Sequence, residues 1–271
     1  LEIYLVGGAV RDQILGQEIH DQDYVVLHAI PEEFLKHFPK AKKVGKHEPV
    51  YIYEGDEYTL SQAQTIFEDL QHRDLTVNAL AKTASGIVIA LPSSLQDLRH
   101  RLLRQVSDLN FYQDPLRVYR TARMMACYPE FKLHPSLREL LNRIGKTDLL
   151  DHIAPERIAR ETLKALACSR PGTMFQLLEQ TQTLSPWFQE LTSLREDSSK
   201  TDKSCSSFNE LVSLMNNLSG GDPIQVWMGL CQALGARQSS AYSTSRTFGS
   251  DNQAAQSALT LGHRLRLPKK Y

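Results

Sequence analysis

Neither sign of charge is in surplus: 31 lysines and arginines face 31 aspartates and glutamates. Without a net field, a polyanionic partner has to be held by local basic patches, so global charge argues neither for nor against nucleic acid. Cysteine is scarce, and the four present, Cys127, Cys168, Cys205 and Cys231, show no CxxC spacing. That excludes the common zinc-site pattern and leaves reduced thiols in a cytoplasmic protein as the expectation, ahead of a disulfide frame. Long hydrophobic runs are also missing. No stretch approaches the roughly 20 apolar residues of a membrane span, and the chain enters a strand pattern directly rather than a signal peptide, so no membrane partner is expected. A chain of 271 residues can hold a sizeable core, divided into about two or three structural units.

What is present is concentrated between Leu5 and Val26, LVGGAVRDQILGQEIHDQDYVV. Ile3 to Val6 reads as a short buried strand that Gly7-Gly8 breaks, and Val10 with Ile14 repeats at helical spacing until Gly16 stops the helix. A second strand is expected to begin at the acidic triplet, with Asp21 and Asp23 two apart, so that alternation turns both carboxylates to one face. Left bare, such a pair repels and one member takes a proton; with divalent ions it becomes the ligand set of a phosphoryl-transfer site. The Gly-Gly turn, at a helix N-terminus, supplies backbone amides that a polyphosphate can approach closely, with Arg11 one turn further in. Each part alone has a bland reading as a turn, a solvated loop or surface charge. Their order and spacing make coincidence the weaker explanation.

This stretch resembles the head-domain signature of the class II tRNA nucleotidyltransferase and poly(A) polymerase family, in its bacterial multifunctional CCA-adding branch. The matching residues are Gly7, Gly8, Arg11, Asp12, Gly16, Asp21 and Asp23. The resemblance implies an α+β chain, with a polymerase β-like nucleotidyltransferase head built on a mixed sheet, then an all-α neck and body. It also implies Mg²⁺, as two ions on Asp21 and Asp23.

Further along, Pro31 to Phe38 reads as a short amphipathic helix, Lys40 to Lys46 as a basic loop, and Pro49 to Leu60 as a hairpin with the acidic turn Glu54-Gly55-Asp56-Glu57. Some relatives carry a third carboxylate after the tyrosine that matches Tyr58, where Thr59 stands here, so Asp56 or Glu57 is at best a substitute for it, and both read first as solvated turn residues. Glu68 to Leu80 resembles the family's second motif in Arg73, Asp74 and Asn78, with His72 in place of the usual first arginine. In the family this element contacts the ribose, and a carboxylate beside an amide can indeed hydrogen-bond a 2′-hydroxyl. Asp74 can equally cap a helix starting at Leu75. Between the hairpin and this motif the family has a longer flexible loop, whose shortening accompanies enzymes that add C but not the terminal A. Here Leu60 reaches Glu68 in a few residues.

Ile87 to Leu91 reads as a strand, followed by the basic stretch Arg99, His100, Arg101 and Arg104. Gln113 to Arg123 then carries arginines at 117, 120 and 123 behind Asp114-Pro115, a pattern that predicts an N-cap and first helical residue. It resembles the family's base-selecting Glu-Asp-x-x-Arg motif in Asp114 and Arg117, with Gln113 replacing the glutamate. An acceptor and a donor edge can mimic base pairing, so the protein itself can template C and A. Helices are expected over Pro135–Ile144, Ala154–Leu166 and, as a pair, Met174–Leu191. Glu156, Arg157 and Glu161 match the family's neck and read as packing charges. Thr192 to Ser207 is polar and serine-rich and reads as a linker. Beyond it, Asn209–Leu218, Gln225–Leu234 and Ala254–Leu267 look helical. Gln232 and Ala233 stand where long relatives have a His-Asp metal pair, so no hydrolase activity is expected there. The sequence ends at Lys269-Lys270-Tyr271, and a complete RNA-binding tail is not expected within it.

The expected organisation is a catalytic head over 1–109, a helical neck over 110–191, a linker over 192–207 and a degenerate helical body over 208–271. The implied reaction is template-independent attack of a tRNA 3′-hydroxyl on the α-phosphate of CTP or ATP, releasing pyrophosphate. Gly7, Gly8 and Arg11 would hold the triphosphate; Arg73, Asp74 and Asn78 the ribose; Asp114 and Arg117 the base; Arg120 and Arg123 phosphates or primer. A C-only enzyme and a poly(A) polymerase share the fold, and a catalytically silent RNA-binding paralogue is the rival of another class.

Overall fold

A computed structural model describes residues 1–19, 21–45, 49–195, 208–240 and 250–268, and the chain forms two compact units, Leu1–Asn110 and Phe111–Tyr271. Lys46, the 196–207 part of the expected linker and the closing Lys269-Lys270-Tyr271 lie outside the described residues.

In the first unit, β1 (Glu2–Val6), β2 (Asp23–Leu27), β3 (Lys42–Val44), β4 (Val50–Tyr53), β5 (Asp56–Leu60), β6 (Leu80–Thr83) and β7 (Val88–Ala90) form one sheet in the order β3-β4-β5-β2-β1-β6-β7. The β2 and β5 pair is parallel and the other neighbours are antiparallel, so the sheet is mixed, as expected. Period-two alternation sorts its core. Val25 and Leu27 pack with Val6, Ile66 and Leu70 on one face, while Val26 packs with Phe34, Tyr51 and Tyr58 on the other. The flanking helices are α1 (Gly8–Leu15), α2 (Pro31–His37), α3 (Ile66–Gln71) and α4 (Ser94–Arg99).

Three local expectations are corrected here. The basic loop contains a strand: Lys42, Lys43 and Val44 pair with Ile52, Tyr51 and Val50. All three are exposed at the sheet edge, so no buried alternation marked them. The hairpin turn is only Glu54-Gly55, both at positive φ, which places Asp56 and Glu57 in β5. Asp74 does not start a full helix, because Thr76–Asn78 is a single 3-10 turn. The short join after β5 is held by its own hydrogen bonds: Ser61 N–H donates to the Val26 carbonyl at 2.9 Å, and the Ser61 hydroxyl donates to Asp69 at 3.0 Å.

The chain crosses between the units in α5 (Asp108–Gln113), and the second unit continues with α6 (Arg117–Cys127), α7 (Pro135–Ile144), α8 (Pro155–Leu166), α9 (Gly172–Gln180), α10 (Phe208–Asn217), α11 (Pro223–Ser240) and α12 (Ser250–Arg264). α6 packs on α8 and α9 around buried Val118, Tyr119, Ala122, Ile158, Phe175 and Phe188. α10 approaches the start of α9 so closely that a Cβ on Gly172 would stand 2.4 Å from the Val212 carbonyl oxygen, which explains glycine there. Met174–Leu191 is not a helix pair but α9 followed by a 3-10 segment, Gln189–Arg195, that runs into the start of the expected linker. Arg264 donates to Glu190 at 2.7 Å and Arg266 to Glu156 at 2.6 Å, tying the end of α12 to this segment and to α8. The Arg266 bond holds the Glu156 carboxyl below the usual carboxylate range. Gln232 is exposed and Ala233 buried on α11.

Cys127 and Cys168 form a disulfide with Cα atoms 4.6 Å apart, correcting the expectation of reduced thiols throughout. Their sequence separation of 41 carried no pairing signal. Cys231 is a buried free thiol, pushed up to about 12 by burial. No described helix is long and apolar enough to cross a membrane.

Candidate active site

The first unit assembles its polar residues where β1 turns into α1. Gly7 has φ 70° and ψ −131°, a conformation that side chains rarely allow. Its N–H donates to the Leu80 carbonyl at 2.9 Å and its carbonyl accepts from Arg11 N–H at 3.2 Å, so the turn is pinned at both ends. α1 begins at Gly8 with no side-chain cap and no acidic residue in its first turn. Its first amides therefore offer an anion-binding end.

Strand register brings the carboxylates to this turn. Asp23 is the antiparallel partner of Val6, the residue before Gly7, and the parallel partner of Glu57. Register partners share a face, so Glu57 stands beside Asp23 on the side of the sheet that carries Val25. Both are exposed. Asp21 lies just before β2 rather than inside it, which corrects the expected strand start; Glu57 N–H to the Gln22 carbonyl, 3.1 Å, prolongs the pairing to its neighbour. Asp21 is exposed as well. Among the described residues no three His, Cys, Asp or Glu side chains converge as a ready-made metal cage. The donor set still fits Mg²⁺, a hard cation that takes one or two carboxylates and completes its shell with water and phosphate oxygens. Of the two candidates for a third carboxylate, Glu57 is the one in register with Asp23, on the strand rather than in the turn expected for it. The Glu54-Gly55 turn signal, followed by buried Tyr58, was enough to put it on the strand.

Arg11, Asp74 and Asn78 form one buried chain. The Arg11 guanidinium, in a residue only 5% exposed, donates to Asp12 at 2.8 and 3.0 Å and to the Asn78 side-chain oxygen Oδ1. The Asn78 amide donates in turn to Asp74 at 3.2 Å, and Asp74 accepts from Leu75 N–H at 2.8 Å. Arg11 therefore joins α1 to the 3-10 turn rather than standing free in solvent. Arg73 is gripped by Asp69 at 2.7 and 3.1 Å, an i,i+4 pair, with its guanidinium 3.9 Å from where a Cβ on Gly7 would sit. From behind, buried Asp97 accepts from Thr76 at 2.8 Å and from Arg104 at 3.0 and 3.1 Å, fixing the turn that carries Asn78. Neither Asp69 nor Asp97 was singled out from the sequence.

The second unit holds the residues expected from the sequence to select the base. Asp114 does not cap a helix. It lies in the break between α5 and α6, its carbonyl accepting from Arg117 N–H at 3.1 Å. Its carboxylate receives the fork of Arg157 from α8, both bonds 3.0 Å. Arg117 and Arg120 lie on α6, both partly buried. Arg123 donates through Nε to Glu161 at 2.6 Å, and Glu161 is 5% exposed.

A mixed sheet whose first strand turns through Gly-Gly into a helix, with acidic residues on the adjacent strand, defines a nucleotidyltransferase-type head. Residues 3–58 match the family described as the poly A polymerase head domain, and residues 130–194 the one described as the probable RNA and SrmB-binding site of polymerase A. The chain is 32% identical to the multifunctional CCA protein of Nitrosococcus oceani over 100% of its own length and 72% of that protein's. It is 35% identical to the CCA-adding enzyme of Coxiella burnetii over 80% of its length, spanning 64% of that relative. Thermotoga maritima CCA-adding enzyme, solved in complex with tRNA, shares the fold with a TM-score of 0.65 at 21% identity, over 99% of this chain and 63% of that one. The chain belongs to the CCA-adding enzyme and poly(A) polymerase family.

Proposed function

We propose that this chain is a template-independent RNA nucleotidyltransferase that adds C, A or both to the 3′ end of tRNA from CTP and ATP, releasing pyrophosphate. The observation that carries the reading is the register of Asp23, flush with Val6 at the Gly7-Gly8 turn and beside Glu57. Mg²⁺ on Asp21 and Asp23, with Glu57 as the third carboxylate, would activate the attacking hydroxyl and steady the leaving group. The amides at the start of α1 bind triphosphate oxygens, and Arg11 adds its charge while orienting Asn78. Asp74, Asn78 and Arg73 receive the ribose. Asp114, aimed by Arg157, and Arg117 offer acceptor and donor edges to the base. Arg120 faces phosphates or primer, whereas Arg123 acts through Glu161 to fix α6. The direct join at 61–65 favours a second reading within the same class, addition of C without the terminal A.

Arg117→Ala is expected to relax nucleotide choice, and Arg157→Ala to shift it in the same direction by releasing Asp114. Hydrogen-bonded base readout is worth roughly 1–3 kcal/mol per pair, about a tenfold to hundredfold change in preference. Arg11→Ala should weaken all nucleotides alike. The check is incorporation of CTP, ATP, UTP and GTP, one at a time, on tRNA trimmed of its 3′ end, with wild type required to use CTP. A proportional loss for Arg117→Ala with an altered ratio for Arg11→Ala would reverse the assignment.

A further inference from the structure

We propose that Cys127 and Cys168 are a reversible redox site, a staple that closes between α6 and α8 on thiol oxidation. Cys127 ends α6 and Cys168 follows the C-cap of α8, with Cα atoms 4.6 Å apart, inside the range a disulfide spans. Both residues are partly exposed, so a small oxidant or reductant can reach them. The site also accommodates the open state: Cys168 Sγ lies 3.3 Å from the Lys164 carbonyl, an acceptor for a free thiol. Backbone geometry around the pair is fixed independently of the sulfurs, since Arg170 N–H donates to the Ala126 carbonyl at 3.1 Å. Neither cysteine has a role in the proposed chemistry. The two helices they join are directly bridged by the Arg123–Glu161 pair, and α8 also carries Arg157, which holds Asp114 just before α6, so the staple clamps the framework of the residues proposed to select the base.

The oxidant is a low-molecular-weight disulfide such as oxidised glutathione. One cysteine thiolate attacks it, forming a mixed disulfide and expelling one small thiol; the other thiolate then attacks the mixed disulfide, forming the Cys127–Cys168 bond and expelling the second. The protein gives up two electrons and two protons, and the small disulfide is reduced to two thiols.

The test uses the full chain equilibrated with either excess dithiothreitol or oxidised glutathione, then alkylated after unfolding and mapped by peptide mass spectrometry. Expected are linked Cys127 and Cys168 peptides under the oxidant, both alkylated under the reductant, with Cys231 alkylated in both. The oxidised form should melt higher by roughly 5 °C or more, because the bond closes a long loop. Cys127→Ser and Cys168→Ser, made separately, should each abolish that oxidant-dependent shift. Two alkylated cysteines after oxidation would overturn the proposal, and so would a link that survives dithiothreitol in the folded protein. Peptide mapping of the wild type decides the matter even if a serine variant folds poorly.

Discussion

Asp23→Ala is expected to lower nucleotide incorporation at least about a thousandfold while leaving the protein folded, and Asp21→Ala to do the same. A divalent ion contributes several kcal/mol of transition-state charge stabilisation, and ~4 kcal/mol corresponds to that factor. Both carboxylates are exposed and neither fills the core, so stability has little to lose. Asp23 also stands beside Glu57 in register, and like charges directly opposite one another are destabilising by a few tenths of a kcal/mol or more. The Asp23→Ala protein should therefore melt at or slightly above the wild-type temperature. Glu57→Ala should give a smaller activity loss than either aspartate. Incorporation kinetics with a melting curve for each variant check this; substantial Mg²⁺-dependent activity in the double aspartate variant would refute the two-metal assignment.

The largest expected stability effect lies in the second unit. Glu161→Ala should cost about 3 kcal/mol, because it strands the Arg123 guanidinium, whose side chain keeps only 20% exposure, against the α8 surface. For a unit of this size that is a fall of roughly 6–12 °C in melting temperature. Glu161→Gln keeps an acceptor for Arg123 Nε and should lose less. Replacing both residues by apolar side chains of similar volume should recover much of the loss, since the cost arises from a lone buried charge rather than from a missing attraction. Thermal melts of the three variants measure it. A loss below about 0.5 kcal/mol for Glu161→Ala would mean that Arg123 finds water or another acceptor, and its assignment to primer phosphates would regain ground.

Much of the head was legible in the sequence because its signals are local. Gly7-Gly8 followed by helical spacing, Gly16 at the αL position that ends α1, and the alternation through Val25, Val26 and Leu27 each describe a few neighbouring residues. The failures share a cause. β3 is an edge strand with every residue exposed, so hydrophobic pattern could not mark it. Asp114-Pro115 carries a helix-start signature, yet the chain breaks there and Arg157, 43 residues away, takes the carboxylate. Arg11 reaches Asn78 across 67 residues and Arg123 reaches Glu161 across 38. Such pairs are fixed by which faces the folded elements bring together, and a linear pattern holds no record of them. The same holds for Cys127 and Cys168.

The most direct measurement is extension of a tRNA trimmed of its 3′ end by the purified chain with Mg²⁺, resolved at single-nucleotide length, with CTP alone, ATP alone and both together. Lengthening by C is expected with CTP alone, and either a terminal A when both are present or, on the second reading, a stop after C. No extension with any nucleotide, from a protein that still binds tRNA, would contradict it and leave the silent RNA-binding paralogue in its place.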